Sequence, residues 1–182
     1  MKVPMKPFSA MGKFLLTMLV IGATLMWITF VYFYYSLPEQ IITKFSFKGE
    51  PLNYGSKISL WFFPVSFSIT PLLIFFLSIF RFSIFNKAPY IMNLPAFYTN
   101  LNKMPLEQQS IWLNKAFEIV LIIGNAVTYL LLALEYGTLV GIKTQELPSW
   151  YVPAVFLLPI LLVPLVIWLL YRLNKKMEKE IE

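Results

Sequence analysis

The chain has 182 residues, of which 58% are hydrophobic and only 13% charged, with a formal net charge of +6 and neither cysteine nor histidine; its mean hydropathy is +0.69. A soluble globular protein carries roughly 25% charged residues, so this composition leaves too little polar material to clothe a water-soluble surface and belongs to a membrane protein. Without Cys and His, disulfides, thiolate nucleophiles, thiolate-bound zinc, iron–sulfur clusters, Ser-His triads, zincin helices and histidine-ligated haem are excluded.

The charges punctuate the chain and leave uncharged runs at 14–38, 58–80, 119–134 and 147–171. At about 1.5 Å per residue, the first, second and fourth runs can each cross a hydrocarbon core of ~30 Å as a helix. The third crosses if Glu118 or Glu135 lies at an interface or turns toward the protein interior. None of the runs shows the alternation of a membrane β-strand. The predicted fold class is therefore an all-α membrane protein with four transmembrane helices. Lys2, Lys6 and Lys13 ahead of the first run imitate a signal peptide, but the run is longer than a cleavable apolar core and ends in Tyr32-Phe33-Tyr34-Tyr35. It reads as a retained helix with an interfacial aromatic collar.

With an even number of spans, the N-terminus, the connection 81–117 and the C-terminal tail share one side, and they carry eleven Lys and Arg residues against four on the other. The positive-inside rule then places both termini in the cytoplasm and the segment 37–57 outside, in a multi-pass cell-membrane protein. The basic residues are scattered over juxtamembrane positions instead of forming one aromatic-interleaved stripe, which argues for lipid contacts and against nucleic acid.

The outer segment LPEQIITKFSFKGEPLNYGSK is articulate for so apolar a chain. Leu37-Pro38 ends the first helix, because proline disfavours helical conformation in the residue before it. From Thr43 to Lys48 the alternation predicts a short amphipathic strand with Phe45 and Phe47 on one side and Lys44, Ser46 and Lys48 on the other. Gly49-Glu50-Pro51 and Asn53-Tyr54-Gly55 supply turn chemistry, and Lys57 anchors the next helix at the headgroups. The expected arrangement is a small ordered cap with Phe45 and Phe47 packed on helix ends. Pro38, Gly49, Pro51 and Gly55 shape it, and Lys44, Lys48, Glu50, Asn53 and Lys57 are the recognition candidates.

Further along, Pro105 followed by Leu106, Glu107, Gln108 and Gln109 resembles a helix start. Ile111, Trp112, Ala116 and Phe117 at near-helical spacing predict a segment that skims the interface, or else docks a cytoplasmic partner. In the third span, taking about 100° per residue from Glu118, Asn125, Thr128 and Glu135 all fall within about 100° of arc. They form one intramembrane polar stripe, read as helix packing or as a seam that couples the outer loop to the bundle. Pro64 and Pro71 in the second span and Pro153, Pro159 and Pro164 in the fourth are expected to kink their helices.

The residues Leu37-Pro38, Ile41, Phe45, Gly49, Pro51 and Gly55-Ser56-Lys57 resemble the signature L-P-x-x-I-P-x-H-F-N-x-x-G-x-P-x-x-x-G-S-K of domain of unknown function 1648, which opens the bacterial SdpI-like toxin-immunity proteins. Asn93-Leu94-Pro95 is similar to a second, weaker family feature, so that the resemblance covers about 14 to 134. The chain departs from the pattern at Ile42, Lys44 and Ser46, which stand where the family has proline, histidine and asparagine. The resemblance implies an SdpI-like region over 1–135 with three transmembrane helices and the loop 37–57, followed over 136–182 by a fourth helix and a charged tail. It also implies immunity to, or sensing of, a membrane-active peptide or toxin. With no adjacent acid pair in an apolar helix, no catalytic residue, metal or cofactor is assigned. The partners expected are the lipid bilayer, an extracytoplasmic peptide or toxin, and a membrane or cytoplasmic protein. An accessory subunit of a transporter complex, or a small transporter, is the alternative.

Overall fold

The computed structural model describes residues 2–89 and 95–181. Helix α1 (Ala10–Ser36) opens where the Ser9 hydroxyl accepts the Gly12 amide at 3.1 Å, the usual way of satisfying a donor that the first turn leaves free. It closes at Leu37, which is extended ahead of Pro38 while its own amide still donates to the Phe33 carbonyl at 3.1 Å.

Strands β1 (Gln40–Phe45) and β2 (Pro51–Ser56) form an antiparallel hairpin in which Gln40 pairs with Ser56, Ile42 with Tyr54 and Phe45 with Pro51. The strand expected at 43–48 begins earlier and stops at Phe45. Ser46 is the reason: its hydroxyl accepts the amides of Lys48 and Glu50, each at 3.1 Å, and so folds the chain into the turn. Packing differs accordingly. Ile41 and Ile42 are 2% and 3% exposed, Phe45 is half-buried, and Phe47 is 84% exposed on the turn. Ile41 joins Phe30, Phe33, Leu37, Leu60, Leu139 and Ile142 in the core at this end.

A 3-10 turn (Lys57–Trp61) leads into α2 (Phe62–Ile79), followed by the short helices α3 (Arg81–Lys87) and α4 (Pro95–Asn102), then α5 (Leu106–Thr144) and α6 (Tyr151–Ile181). Four helical segments, Ala10–Ser36, Lys57–Ile79, Leu106–Thr144 and Tyr151–Ile181, are long and apolar enough to cross a membrane. The chain is a multi-pass membrane protein, mostly helical with one two-stranded sheet among the described residues. Asn93 and Leu94 lie outside the described residues.

α5 corrects the sequence reading most. At 39 residues it is about 58 Å long by the helical rise, far beyond a ~30 Å core. Residues 106–117 belong to the same continuous helix, and the segment expected to skim the interface packs into the protein, with Ser110, Trp112, Leu113 and Phe117 buried. Trp112, expected at the lipid boundary, is 1% exposed and donates its indole N–H to a Glu180 carboxylate oxygen at 2.9 Å. Around it Phe8, Phe82, Phe97, Leu101, Met104, Leu113 and Met177 build a second core, at the end of the bundle that carries both termini.

Pro64 and Pro153 fall in the first turns of α2 and α6, where no helical hydrogen bond is lost. Pro71, Pro159 and Pro164 lie in helix interiors. α6 is buried only at Leu173 and Met177, and its middle is exposed over most of its circumference from Phe156 to Ile167.

Gly49 is the conformational key of the hairpin tip. Its φ of +87° suits glycine, and its carbonyl accepts the Leu147 amide at 3.1 Å, seating the tip on the α5–α6 link. A side chain there costs on the order of 1–3 kcal/mol in backbone strain, and its Cβ would stand 3.2 Å from that of Leu147. Gly49→Val is therefore expected to lower the melting temperature in detergent and to speed protease cleavage in the hairpin. Unchanged melting together with unchanged cleavage would show that the tip does not depend on this seat.

Candidate functional site

The hairpin roofs a cavity of about 600 Å³ whose walls come from four parts of the chain. Lys44, Phe45, Phe47 and Leu52 descend from the hairpin, Phe63 stands on α2, Thr138 on α5, and Tyr151, Val155 and Phe156 on α6, with Leu147 closing the side. The lining is mostly apolar and aromatic, joined by the hydroxyl residues Thr43, Ser46, Thr138 and Tyr151 and by one cation, Lys44.

Glycine shapes the wall between α5 and α6. A Cβ on Gly137 would come within 2.7 Å of the Tyr151 ring and 2.8 Å of the Trp150 ring, so only glycine lets the first turn of α6 lie against α5. Once there, the Tyr151 hydroxyl meets the Thr138 hydroxyl at 2.8 Å. Thr138 already donates to the Leu134 carbonyl at 2.8 Å. Tyr151 is thus the donor of the pair.

The outer residues singled out from sequence divide into four groups. Lys44, Phe45 and Phe47 line the cavity. Lys48, Glu50 and Asn53 are exposed and lie outside its lining. Lys57 is turned inward: its ammonium donates to the Leu37 carbonyl at 3.1 Å, lies 3.3 Å from a Glu39 carboxylate oxygen and sits 4.7 Å from the centre of the Tyr34 ring. It ties the end of α1 to the start of α2. Pro38, Pro51 and Gly55 shape the hairpin, with Pro51 opposite Phe45 and Gly55 opposite Ile41.

The polar stripe runs down α5 toward the terminal end. Asn125 donates to the carbonyls of Leu15 at 2.9 Å and Leu121 at 2.8 Å, bonding α1 and α5 together. Thr128 packs beside Gly22 of α1 with its hydroxyl buried and without a hydrogen-bond partner among the described residues. Glu135 is 0% exposed, and neither of its oxygens has such a partner. Glu118, half-buried, accepts the Ser9 hydroxyl at 2.6 Å.

Near Glu118 lies a feature that the sequence reading missed. Arg81 is buried, donating to Asn114 at 2.7 Å and to the carbonyls of Ser78 and Lys6 at 2.8 Å each. Its guanidinium carbon is 3.6 Å from the centre of the Phe8 ring. Burial lowers its pKa from the ordinary arginine value, and the Glu118 carboxylate opposes that shift. Asn86 completes the strap, accepting from the Val3 amide at 2.8 Å and donating to the Val3 carbonyl at 3.0 Å. The extended segment before α1 is thereby fastened to α3 and α5. Among the described residues no three His, Cys, Asp or Glu side chains converge to hold a metal ion.

The family model described as Domain of unknown function (DUF1648) matches residues 21–67, from mid-α1 through the hairpin to the first turns of α2. This is narrower than the 14 to 134 expected from sequence. The chain is also similar to an uncharacterized protein of the archaeon Archaeoglobus fulgidus, 34% identical over 184 aligned residues that cover all of this chain and 99% of the relative. No solved structure matches the chain.

The stripe yields opposite expectations for neighbouring positions. Asn125→Leu removes the bond to the Leu15 carbonyl and is expected to lower stability in detergent by about 0.6 kcal/mol. Glu135→Leu removes a buried carboxyl without a partner among the described residues, and relieving such a desolvation cost is expected to raise stability by about 1–3 kcal/mol. Chemical denaturation of the two variants beside the wild type is the check. Destabilisation by Glu135→Leu would mean that the carboxyl is bonded in the folded protein.

Proposed function

We propose a function from one premise: the chain belongs to the same family as the Archaeoglobus fulgidus protein. The chain acts as a non-enzymatic membrane receptor that takes up a membrane-active peptide beneath its hairpin, conferring immunity to the peptide or sensing it. The observation that carries this reading is the cavity of about 600 Å³, inside the ~300–1,000 Å³ range of small-ligand sites and lined as such sites are, by aromatic and aliphatic walls with few polar groups.

Two features favour a peptide as occupant. Lys44 at the rim suits a carboxylate, such as a peptide C-terminus. Pro159 cannot donate to the Val155 carbonyl four residues earlier, and Val155 lines the cavity. An acceptor that lacks its i+4 donor suits a peptide N–H, since a carbonyl left bare in a bilayer is costly. The DUF1648 match, which includes the whole hairpin, lends support. The second reading, an accessory subunit of a transporter complex, draws on the exposed middle of α6, a surface that another membrane helix could cover.

Both termini are assigned to the cytoplasm and the hairpin to the outside of the cell membrane, on the basic asymmetry of the sequence. The natural chain has no cysteine, so a single introduced thiol reports alone. In intact cells an impermeant thiol reagent is expected to label Phe47→Cys and not Gln108→Cys, both positions being exposed in the fold. The reverse pattern would invert the topology.

The function is tested by survival of a sensitive host under a panel of membrane-active peptides with free C-termini, read beside membrane abundance. Val155→Trp, which fills the cavity, and Lys44→Glu are each expected to abolish protection at normal abundance, with Lys48→Glu silent. Protection that persists in the first two variants, or is absent from the wild type across the panel, would overturn the reading. Equal loss in Lys48→Glu would move recognition from the cavity to the outer surface of the hairpin.

A further inference from the structure

The last turns of α6 are two-faced. At about 100° per residue from Arg172, Leu169, Leu173, Met177, Leu170 and Ile181 occupy one arc, and all of them pack into the core at the terminal end. Glu180 stands on the same side, accepting the Trp112 indole N–H. Arg172, Lys175, Lys176 and Lys179 fall on the adjoining arc within about 100° of one another, all exposed. Glu178 flanks them beyond Tyr171. The sequence alone shows a tail of mixed sign; the fold sorts the signs.

These four cations, with Trp168 and Tyr171, line an open hollow of about 270 Å³ on one face of α6. The Arg172 guanidinium carbon lies 5.2 Å from the centre of the Trp168 ring and the Lys175 ammonium 5.8 Å from that of Tyr171. The uncharged run 147–171 ends here, and a tryptophan, a tyrosine and basic residues at the end of a span mark headgroup depth. On the same face of α6 as the cations, Leu157, Leu161 and Leu165, four residues apart, are exposed. A basic hollow at headgroup depth is thus continuous with an apolar stripe running into the hydrocarbon.

We propose that Arg172, Lys175, Lys176 and Lys179, framed by Trp168 and Tyr171, bind the phosphate of an anionic phospholipid whose acyl chain lies along Leu157, Leu161 and Leu165. Charge selects the headgroup and the leucine stripe selects a lipid over a soluble phosphate. This site is separate from the hairpin cavity and does not rest on the function proposed for it.

The test is native mass spectrometry of the full chain in detergent, with phosphatidylglycerol, phosphatidylcholine and soluble glycerol phosphate as probes. Retention of phosphatidylglycerol over phosphatidylcholine is expected, with little binding of glycerol phosphate. Each basic residue near a membrane surface is worth roughly a fivefold change in affinity, so Lys176→Gln with Lys179→Gln should lower retention roughly 25-fold. Lys2→Gln with Lys6→Gln, which removes two exposed lysines of the N-terminal segment, should leave retention unchanged. Because Lys176 and Lys179 are exposed, the double variant should keep the wild-type melting temperature. Should it misfold, Trp168→Ala with Arg172→Gln provides the same reading. Equal loss in the Lys2 and Lys6 variant would reduce the effect to general surface charge and overturn the site. Binding of glycerol phosphate as tight as that of the lipid would overturn the lipid assignment.

Discussion

Lipid supplies no hydrophobic force to hold one apolar helix against another, so a bundle depends on close packing and on hydrogen bonds made where water is absent. Here that constraint is met chiefly between α1 and α5, two parallel helices far apart in sequence. Asn125 and Tyr129 of α5 donate to the Leu15 and Met18 carbonyls of α1 at 2.9 and 3.0 Å, and Ser9 donates to Glu118 at 2.6 Å. Gly22 brings the backbone of α1 close to Thr128 and Tyr129. α2 then fits antiparallel to both, Trp27 of α1 donating to Ser68 at 2.9 Å and Ile74 packing on Gly124. The hairpin that joins α1 to α2 can roof a cavity only because its two supporting helices are seated in this way.

The parts that were legible in sequence are those governed by local chemistry. Charges bound the apolar runs, Leu37-Pro38 ends a helix, Pro105 precedes one, and the glycines and prolines of 37–57 mark a turn-rich ordered segment. Glu118 and Glu135 bound the third run, and α5 passes through both, with Glu135 turned into the bundle as one of the two expectations allowed. The errors share a cause. Trp112 looks like a membrane anchor until α6 returns to cover it with Met177 and Glu180. Phe47 looks like core by alternation, but the Ser46 hydroxyl ends the strand two residues too soon.

The cavity was illegible for a stronger reason. Its wall joins Lys44, Phe63, Thr138 and Tyr151, and no spacing within a single segment announces that four segments will meet. Of these residues only Lys44 was marked in sequence, because it falls on the polar side of the alternation from Thr43 to Lys48. The Arg81 strap was hidden in the same way. A lone arginine after an apolar run reads as a topology signal, and its burial against Phe8 and the Lys6 carbonyl depends on where the N-terminal segment comes to rest.

α6 draws these observations together. It is held at its start by the Tyr151–Thr138 hydroxyl pair and the fit against Gly137, and at its end by Met177 in the terminal core and the Trp112–Glu180 bond. Between the two holds lie Pro159 and Pro164, each interrupting the hydrogen-bond ladder. A helix pinned at both ends and weakened in the middle bends more readily than it translates. An occupant pressing on Val155 and Phe156 would therefore be absorbed at Pro159 before it reached Leu173. On this construction the hairpin cavity and the basic face near the termini act independently, and the substitution that would connect them is the replacement of both interior prolines by a helix former such as alanine.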